Sequence, residues 1–333
     1  MQTRPTRGGH ALILLRILAA SACFVEILGA GAAHAQEVTL RAVSSFAEGT
    51  TFSKNFERFV QKVNAEGKGL VQINYIGGPK AVPPFEVGNA VKSGVVDVAN
   101  VTGAFYTTLL PEADALKLNT ISAAEMRKNG AYDYINKLWS EKMNVQYLAR
   151  SMDHMPFCLY LNKKIDKPDL TGLKLRITPV YRDFFQALGA TIVQTAPGEV
   201  YTALDRGVVD GYGWPISGIF DLGWHEKTKY RVSACFYNVE VGVLVSNNAW
   251  NKLNDKQREF LTRMGVWMEG LSAEMPAHNA GEAKRQAAAG IQVIDFGEQD
   301  RASFVARAYE VGWASAVKQS PQHGPKLKSL ITR

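Results

Sequence analysis

The sequence predicts an α/β protein of two lobes, and three observations carry this prediction. Strand and helix patterns alternate along both halves of the chain, which is typical of mostly parallel sheets covered by helices on both faces. The tetrapeptide Gly-Val-Val-Asp follows a predicted helix in each half, at residues 94–97 and 207–210. The chain has 333 residues, more than one typical domain, yet no linker rich in proline, glycine or serine divides it. We therefore expect two similar lobes joined by ordered crossings.

The first half opens with a strand and then a helix. Residues 38–44 alternate as a strand does, and apolar residues recur at helical spacing after the turn at Glu48-Gly49. These helical residues are Phe52, Phe56, Phe59, Val60 and Val63. The elements predicted next are a strand over 70–76 that stops at Gly77-Gly78-Pro79, a helix over 85–92 that ends at Gly94, and a buried strand over 95–99.

The second half repeats this order. Its predicted elements are strands over 157–161 and 175–177 and helices over 181–188 and 200–205.

The C-terminal part is predominantly helical. The pattern over 255–285 is long for a globular helix, whose mean is about 11 to 12 residues, so we expect it to bridge or buttress both lobes. A strand over 291–294 and a helix over 300–318 follow. Phe304, Tyr309 and Trp313 recur along that last helix at spacings typical of core packing.

The first 35 residues predict a secretory signal peptide. Arg4 and Arg7 precede an apolar stretch over 17–25, and Ala33-His34-Ala35 matches a small-residue cleavage site. The stretch is too short and too interrupted for a membrane-spanning helix. The mature, exported chain is therefore predicted to begin at Gln36.

The cysteines are few. Cys23 lies in the predicted signal, and its lipidation is an alternative that lacks the usual leucine three residues earlier. After cleavage only Cys158 and Cys235 remain, too few for a metal cluster. An oxidising compartment would permit a disulfide, but the spacing does not place the two Cα atoms within reach of each other. The sequence favours two buried free thiols and leaves the disulfide open.

Composition and motifs favour binding over catalysis. Lys and Arg number 38 against 31 Asp and Glu, and the charges are spread out, so nucleic-acid binding is not indicated and an anionic ligand is compatible. The chain has no Gly-x-Ser-x-Gly, His-Glu-x-x-His, Cys-x-x-Cys or Walker sequence, and no Gly-x-Gly-x-x-Gly after a strand. We expect neither an enzyme nor a cofactor or catalytic metal.

Four segments in order carry a resemblance to a known family. They are Gly-Leu-Lys-Leu-Arg at 172–176, Ala-Leu-Gly-Ala at 187–190, Gly-Glu-Val-Tyr-Thr-Ala-Leu at 198–204 and Gly-Val-Val-Asp-Gly at 207–211. In these segments the chain resembles the DctP-type solute receptors of TRAP transporters, which are tripartite, ion-driven uptake systems for organic acids. Weaker similarity extends over the whole mature chain.

The resemblance implies a two-lobed periplasmic solute-binding fold. It places a ligand cleft at the hinge, runs a long helix along both lobes, and implies closure on the ligand and delivery to TRAP membrane subunits. We expect a monomer. By analogy, the first lobe holds 36–153 and about 242–281, and the second lobe holds about 154–241 and 282–333.

Two residues in or just after the motifs are the leading candidates for ligand binding. Arg176 ends a predicted strand, and the carboxyl ends of strands in open α/β sheets face the ligand crevice. Its planar guanidinium matches a carboxylate, and the resemblance assigns it that role. Trp214 follows the second Gly-Val-Val-Asp and matches a family position that lines the pocket. The alternatives are a structural arginine and a core tryptophan.

Departures from the family suggest which ligand is bound. Phe157 stands where some sugar-acid-binding relatives carry a second basic residue, and Phe105 lies near another polar contact position of those relatives. Gly213 stands where some 2-oxoacid-binding relatives have a metal-coordinating glutamate. We therefore favour a monocarboxylate with an apolar or aromatic body and no bound cation. The residues expected to pack against it are Phe46, Phe105, Phe157, Tyr212 and Trp214.

Other interpretations remain open. Asp153, near the first predicted crossing, is a further candidate contact, although Asp153 and His154 are also compatible with a hinge pair. Within the family, a C4-dicarboxylate or 2-oxoacid receptor is the alternative. From another class, a secreted enzyme that acts on an organic acid would use Asp153, His154 and Arg176. As a further alternative, the binding protein serves a sensor instead of a transporter.

Overall fold

The computed structural model of the protein describes residues 36–333. The predicted signal peptide over 1–35, its cleavage site and Cys23 lie outside the described residues. Within the described part of the chain, no helix has the length and apolar character needed to cross a membrane.

The strands of the described residues are β1 Val38–Ser44, β2 Val71–Tyr75, β3 Val98–Val101, β4 Val145–Met152, β5 Pro156–Leu161, β6 Lys174–Ile177, β7 Thr191–Gln194, β8 Gly211–Pro215, β9 Tyr230–Val232, β10 Phe236–Asn238, β11 Val241–Ser246 and β12 Gln292–Ile294. The α-helices are α1 Thr51–Glu66, α2 Val87–Ser93, α3 Ala123–Lys128, α4 Ala131–Met143, α5 Arg182–Ala187, α6 Val200–Asp205, α7 Asn247–Trp250, α8 Asp255–Gly270, α9 Met275–Ala288, α10 Glu298–Gln319 and α11 Gly324–Ile331.

Two mixed sheets organise the fold. The first has the order β2-β1-β3-β11-β4, in which only β11 runs against its neighbours. The second has the order β12-β9-β5-β8-β6-β7, with β10 also paired to β5, and here β5 is the reversed strand. The α/β fold class is confirmed. The chain passes between the sheets after β4, at residues 153–155, and after β10, at residues 239–240.

The long helical stretch contacts both sheets, as predicted. Helix α8 packs Phe260 and Met264 into the core of the first sheet, whereas Gln286 of α9 donates a hydrogen bond to the carbonyl of Ile216, just after β8, at 2.7 Å. The stretch is not one unbroken α-helix. A 3₁₀ turn, Leu271–Glu274, separates α8 from α9, and a proline stands in the first turn of α9, where its missing N–H leaves no helical bond unmade.

The two Gly-Val-Val-Asp segments occupy equivalent places in the two sheets. Gly94 and Gly207 each follow a helix with positive φ, 78° and 65°, which favours glycine. The N–H of Asp97 then donates to the carbonyl of Arg41, and the Asp97 carboxylate accepts the Arg41 N–H at 2.8 Å. Asp210 does the same with Lys174, at 2.9 Å. Each segment therefore ties one strand of its sheet to the next.

This arrangement corrects one predicted boundary. The buried strand expected over 95–99 begins only at Val98, and Val95 is 61% exposed. The reason is that residues 95–97 form the turn that places the Asp97 side chain against β1. The other strands and helices predicted above are present, with ends that differ by a few residues.

The expectation of two free thiols is wrong. Cys158 and Cys235 form a disulfide, with their Cα atoms 4.4 Å apart. The physical reason is the antiparallel pairing of β10 with β5, which sets Phe236 opposite Phe157 and so brings the two neighbouring cysteines together. The cysteines are separated by 77 positions in the chain, so their spacing alone does not reveal this contact.

Candidate functional site

A small cavity lies where the two sheets face each other. Residues that follow the carboxyl ends of β1, β3, β6 and β8 line it, which is where open α/β sheets bind ligands. Its volume is about 30 Å³, and we call it the inner cavity. The lining residues are Phe46, Phe52, Thr102, Phe105, Phe157, Thr178, Val180, Trp214, Pro215, Val239, Glu240 and Val241.

Aromatic rings dominate one side of the inner cavity. The ring of Phe46 lies 5.3 Å from that of Phe52 and 5.8 Å from that of Phe105, centroid to centroid. Phe52 meets Trp214 edge-on at 5.3 Å. These contacts join rings from both sheets, because Phe46, Phe52 and Phe105 belong to the first sheet and its connections and Trp214 lies in β8. Four of the predicted contacts, Phe46, Phe105, Phe157 and Trp214, therefore lie together.

A second cavity of about 260 Å³ adjoins the first. It shares Phe46, Phe52 and Trp214 with the inner cavity and adds polar residues, among them Lys80 and Asp221. We call it the outer cavity. The three shared rings separate the two spaces, so they are the surfaces that a ligand would pass or displace on entering the inner cavity.

Arg176 is the buried cation of this region. Its side chain has no exposed surface, and its Nη2 donates to the carbonyl of Thr195 at 2.6 Å. Longer contacts of 3.4 Å reach the hydroxyls of Thr195 and Tyr181. Burial lowers the pKa of Arg176, and the contact with Tyr181 acts in the opposite direction. Within residues 36–333, no carboxylate forms an ion pair with this guanidinium.

Aromatic side chains hold the guanidinium from the sides. It lies 5.6 Å from the ring centroid of Trp214 and 5.7 Å from that of Trp224, within the range of cation–π contacts. Tyr181 donates its hydroxyl hydrogen to the carbonyl of Gly213, which fixes the phenol beside Arg176. The indole N–H of Trp214 is buried and has no hydrogen-bond acceptor among the described residues. The arrangement offers cationic and N–H donors beside an apolar cavity, which suits an anion.

Comparison with known proteins identifies the family of the chain. Residues 42–319 match the model of the bacterial extracellular solute-binding proteins of family 7, the DctP family. The chain belongs to family 7. A solute-binding protein of Roseobacter denitrificans is 24% identical over 95% of this chain and 97% of its own length. The family of DctP-type receptors that the motifs predicted is therefore confirmed.

Solved structures of TRAP solute-binding proteins share the fold of this family 7 chain. A Bordetella pertussis receptor that binds pyroglutamic acid superposes with a TM-score of 0.78 at 17% identity, covering 88% of this chain and 99% of that one. A Desulfovibrio salexigens protein with bound orotic acid gives a TM-score of 0.78 at 20% identity, covering 88% and 97%. At these identities the likeness establishes the two-lobed fold.

Three predicted contacts of the family 7 protein, Arg176, Tyr212 and Asp153, are not among the residues that line the inner cavity. Tyr212 is fully buried, stacks on Tyr160 at 5.0 Å and shares a hydrogen bond with Thr228. Asp153 pairs with Arg150 at 3.0 Å and accepts a hydrogen bond from Asn238, so it ties the two crossings together. Contact of any of these three residues with a ligand stays a prediction.

The sequence did not single out Glu240. It precedes β11 and is only 4% exposed, yet it is a lining residue of the inner cavity. The one available signal was an isolated acid in the apolar run Val239-Glu240-Val241. Phe52, Thr102 and Thr178 were also missed as lining residues, since Phe52 belongs to the helical pattern of α1 and the two threonines lie in no motif.

Proposed function

We propose that this family 7 protein captures a small organic carboxylate in the inner cavity and delivers it to TRAP membrane subunits for ion-driven uptake. One observation carries the proposal: Arg176 is a buried guanidinium without a carboxylate partner, beside a cavity lined mainly by apolar and aromatic side chains. A buried charge without a counter-ion is unfavourable. A ligand carboxylate would supply that counter-ion in bidentate geometry.

The lining favours a monocarboxylate with an apolar or aromatic body. No Lys, Arg or His is among the lining residues of the inner cavity, and Arg176, which lies beside Trp214, would already be paired with the first carboxylate, so a second carboxylate has no cation to meet there. Phe46, Phe105, Phe157 and Trp214 would pack against the body of the ligand. A cavity of about 30 Å³ holds only one or two waters, so we infer that the acid enters when the sheets move apart and that the rings then close on it.

The ligands of similar proteins support a carboxylic acid as the ligand, and the sugar acid among them does not share the apolar body that we favour. The solved relatives carry pyroglutamic acid, orotic acid and, in the Roseobacter protein, L-galactonate, all of which are carboxylic acids. A Nostoc relative, 26% identical over 61% of this chain and 58% of its own length, is a monocarboxylate 2-oxoacid-binding periplasmic protein. We propose export to the periplasm with cleavage after Ala35.

A thermal-shift screen tests the proposal. The mature chain from Gln36 is mixed with aromatic monocarboxylates, 2-oxoacids, C4-dicarboxylates and sugar acids, because a ligand that binds only the folded state raises the melting temperature. We expect stabilisation by monocarboxylates with apolar or aromatic bodies. Stabilisation only by dicarboxylates or sugar acids would contradict the favoured ligand class, and stabilisation by no acid would contradict the carboxylate function.

A further inference from the structure

Glu240 has a defined position in the inner cavity that the carboxylate site does not explain. Its Oε2 accepts the N–H of Gly103, after β3, at 2.8 Å, and its Oε1 accepts the hydroxyl of Tyr147, in β4, at 2.7 Å. Donors from two different parts of the first sheet therefore fix the carboxylate. With the side chain 96% buried, its orientation is set by these bonds rather than by solvent.

The two hydrogen-bond donors are both uncharged. Within residues 36–333, no cationic side chain forms an ion pair with Glu240. The charge of Arg150 lowers the pKa of Glu240, but Arg150 is already paired with Asp153 at 3.0 Å. A carboxylate has about four acceptor positions on its two oxygens, and each oxygen of Glu240 accepts one bond from these donors. Acceptor capacity thus remains on a residue that lines the cavity.

The hydrogen-bond pattern fits the ionised carboxylate. The backbone N–H of Gly103 can only donate, and the hydroxyl of Tyr147 donates to the other carboxylate oxygen. Both oxygens of Glu240 therefore act as acceptors, and neither bond requires a proton on Glu240. Burial raises the pKa of Glu240, while the bonds from Tyr147 and Gly103 act in the opposite direction. A positively polarised partner in the cavity would stabilise the charged form further.

We infer that the ligand carries a nitrogen donor, an ammonium or an amide N–H, that binds Glu240 while its carboxylate binds Arg176. The inference rests on the proposed carboxylate function and narrows the substrate class to amino or amido monocarboxylates. The aromatic rings that line the inner cavity would contact the carbon skeleton of the ligand. Glu240 also sets the orientation, since it repels the carboxylate end of the ligand and attracts the nitrogen end.

A purely structural role for Glu240 is the competing interpretation. Its bonds to Gly103 and Tyr147 join β3 to β4 through the crossing, and this role needs only the shape and hydrogen bonds of the side chain. Glutamine keeps both, because its carbonyl accepts the Gly103 N–H and its amide donates to the Tyr147 oxygen. Glu240→Gln therefore removes the charge and keeps the framework.

Isothermal titration calorimetry with matched ligands separates the two interpretations. Three pairs replace an ammonium by a methyl group at increasing length: 4-aminobutanoate and pentanoate, 5-aminopentanoate and hexanoate, 6-aminohexanoate and heptanoate. Each is titrated into the wild type, Glu240→Gln and the control Glu282→Gln. Glu282 is similarly buried, at 8% exposure, but lines neither cavity.

At the length that spans the two sites, the amino acid should bind the wild type and Glu282→Gln about ten- to a hundredfold more tightly than its methyl partner. Glu240→Gln should abolish or reverse this preference, because the cavity then favours the methyl group. If the alkanoates bind and no amino acid binds more tightly, or if the preference survives in Glu240→Gln, the inference is wrong while the carboxylate function stands. If neither series binds, the inference fails, and the thermal-shift screen decides whether the proposed function fails with it.

Discussion

At the scale of single residues, the position of Arg176 depends on groups outside the inner cavity. Tyr181 is fully buried, packs against Phe157 and Phe185, and bonds the carbonyl of Gly213 while its oxygen lies 3.4 Å from the guanidinium. A Cβ on Gly213 would lie 2.6 Å from the Tyr181 ring. This crowding explains why the chain has glycine where some relatives place a metal-coordinating glutamate: a side chain there would displace Tyr181.

Gly213→Ala should therefore destabilise the protein by about 1 to 3 kcal/mol through overpacking. It should also weaken carboxylate binding, since the ring that supports Arg176 must move. Chemical denaturation and calorimetry measure the two effects. The control is Gly281→Ala, on an exposed turn of α9 where a new Cβ meets no atom within 4 Å, and this change should be neutral or slightly stabilising. Equal stability of the two variants would contradict the role assigned to Gly213.

At the scale of elements, local patterns predicted most of the fold. Alternation and helix-stop glycines located β1, α1, α2, α6 and α10, because these signals depend only on neighbouring residues. The repeated Gly-Val-Val-Asp correctly indicated two similar sheets, and the structure adds the reason, since Asp97 and Asp210 bond the neighbouring strand in the same way.

Features that depend on distant partners escaped prediction. The disulfide follows from the pairing of β10 with β5, and the place of Glu240 in the cavity follows from bonds to Gly103 and Tyr147, which are remote in sequence. The 3₁₀ turn between α8 and α9 lies where the helical stretch passes from one sheet to the other. Hydrophobic periodicity along the sequence does not reveal such a change of packing partner. The clustering of Phe46, Phe105, Phe157 and Trp214 was predicted, whereas Phe52 was taken only as a helix residue.

The disulfide supplies a prediction at this scale. It closes a loop of about 77 residues, and losing such a cross-link costs about 2 to 5 kcal/mol of folding free energy. The double variant Cys158→Ser/Cys235→Ser should unfold at correspondingly lower denaturant concentration. Reductant should lower the stability of the wild type toward that of the variant and leave the variant unchanged. If the wild type and the double variant unfold at the same denaturant concentration without reductant, the disulfide contributes no stability.

At the scale of the whole molecule, the two sheets contact each other across the cleft. The N–H of Thr51, at the start of α1, donates to the carboxylate of Asp221 at 2.7 Å, and Asp221 follows β8 of the second sheet. A carboxylate at a helix N-terminus is favourable. The lobe division near residues 153, 241 and 281 remains our proposal, and the crossings at 153–155 and 239–240 support its first two boundaries.

Asp221→Ala should shift the population toward an open form, because it removes a hydrogen bond made only when the sheets approach. We expect a larger radius of gyration without ligand by small-angle scattering and a roughly three- to tenfold weaker affinity for a carboxylate ligand. Asp205→Ala, which removes an exposed ion pair with Lys227, is the control and should change neither quantity. An unchanged radius and affinity in Asp221→Ala would mean that this contact does not influence closure.

The most direct test of the account is calorimetry on Arg176→Ala with an acid that stabilises the wild type. Removing one member of a buried charge pair costs about 2 to 5 kcal/mol, so affinity should fall by roughly thirtyfold to a few thousandfold. Arg182→Ala, an exposed arginine in the next helix, should bind like the wild type. If Arg176→Ala binds the acid as tightly as the wild type does, Arg176 does not bind the ligand carboxylate and the central claim is contradicted.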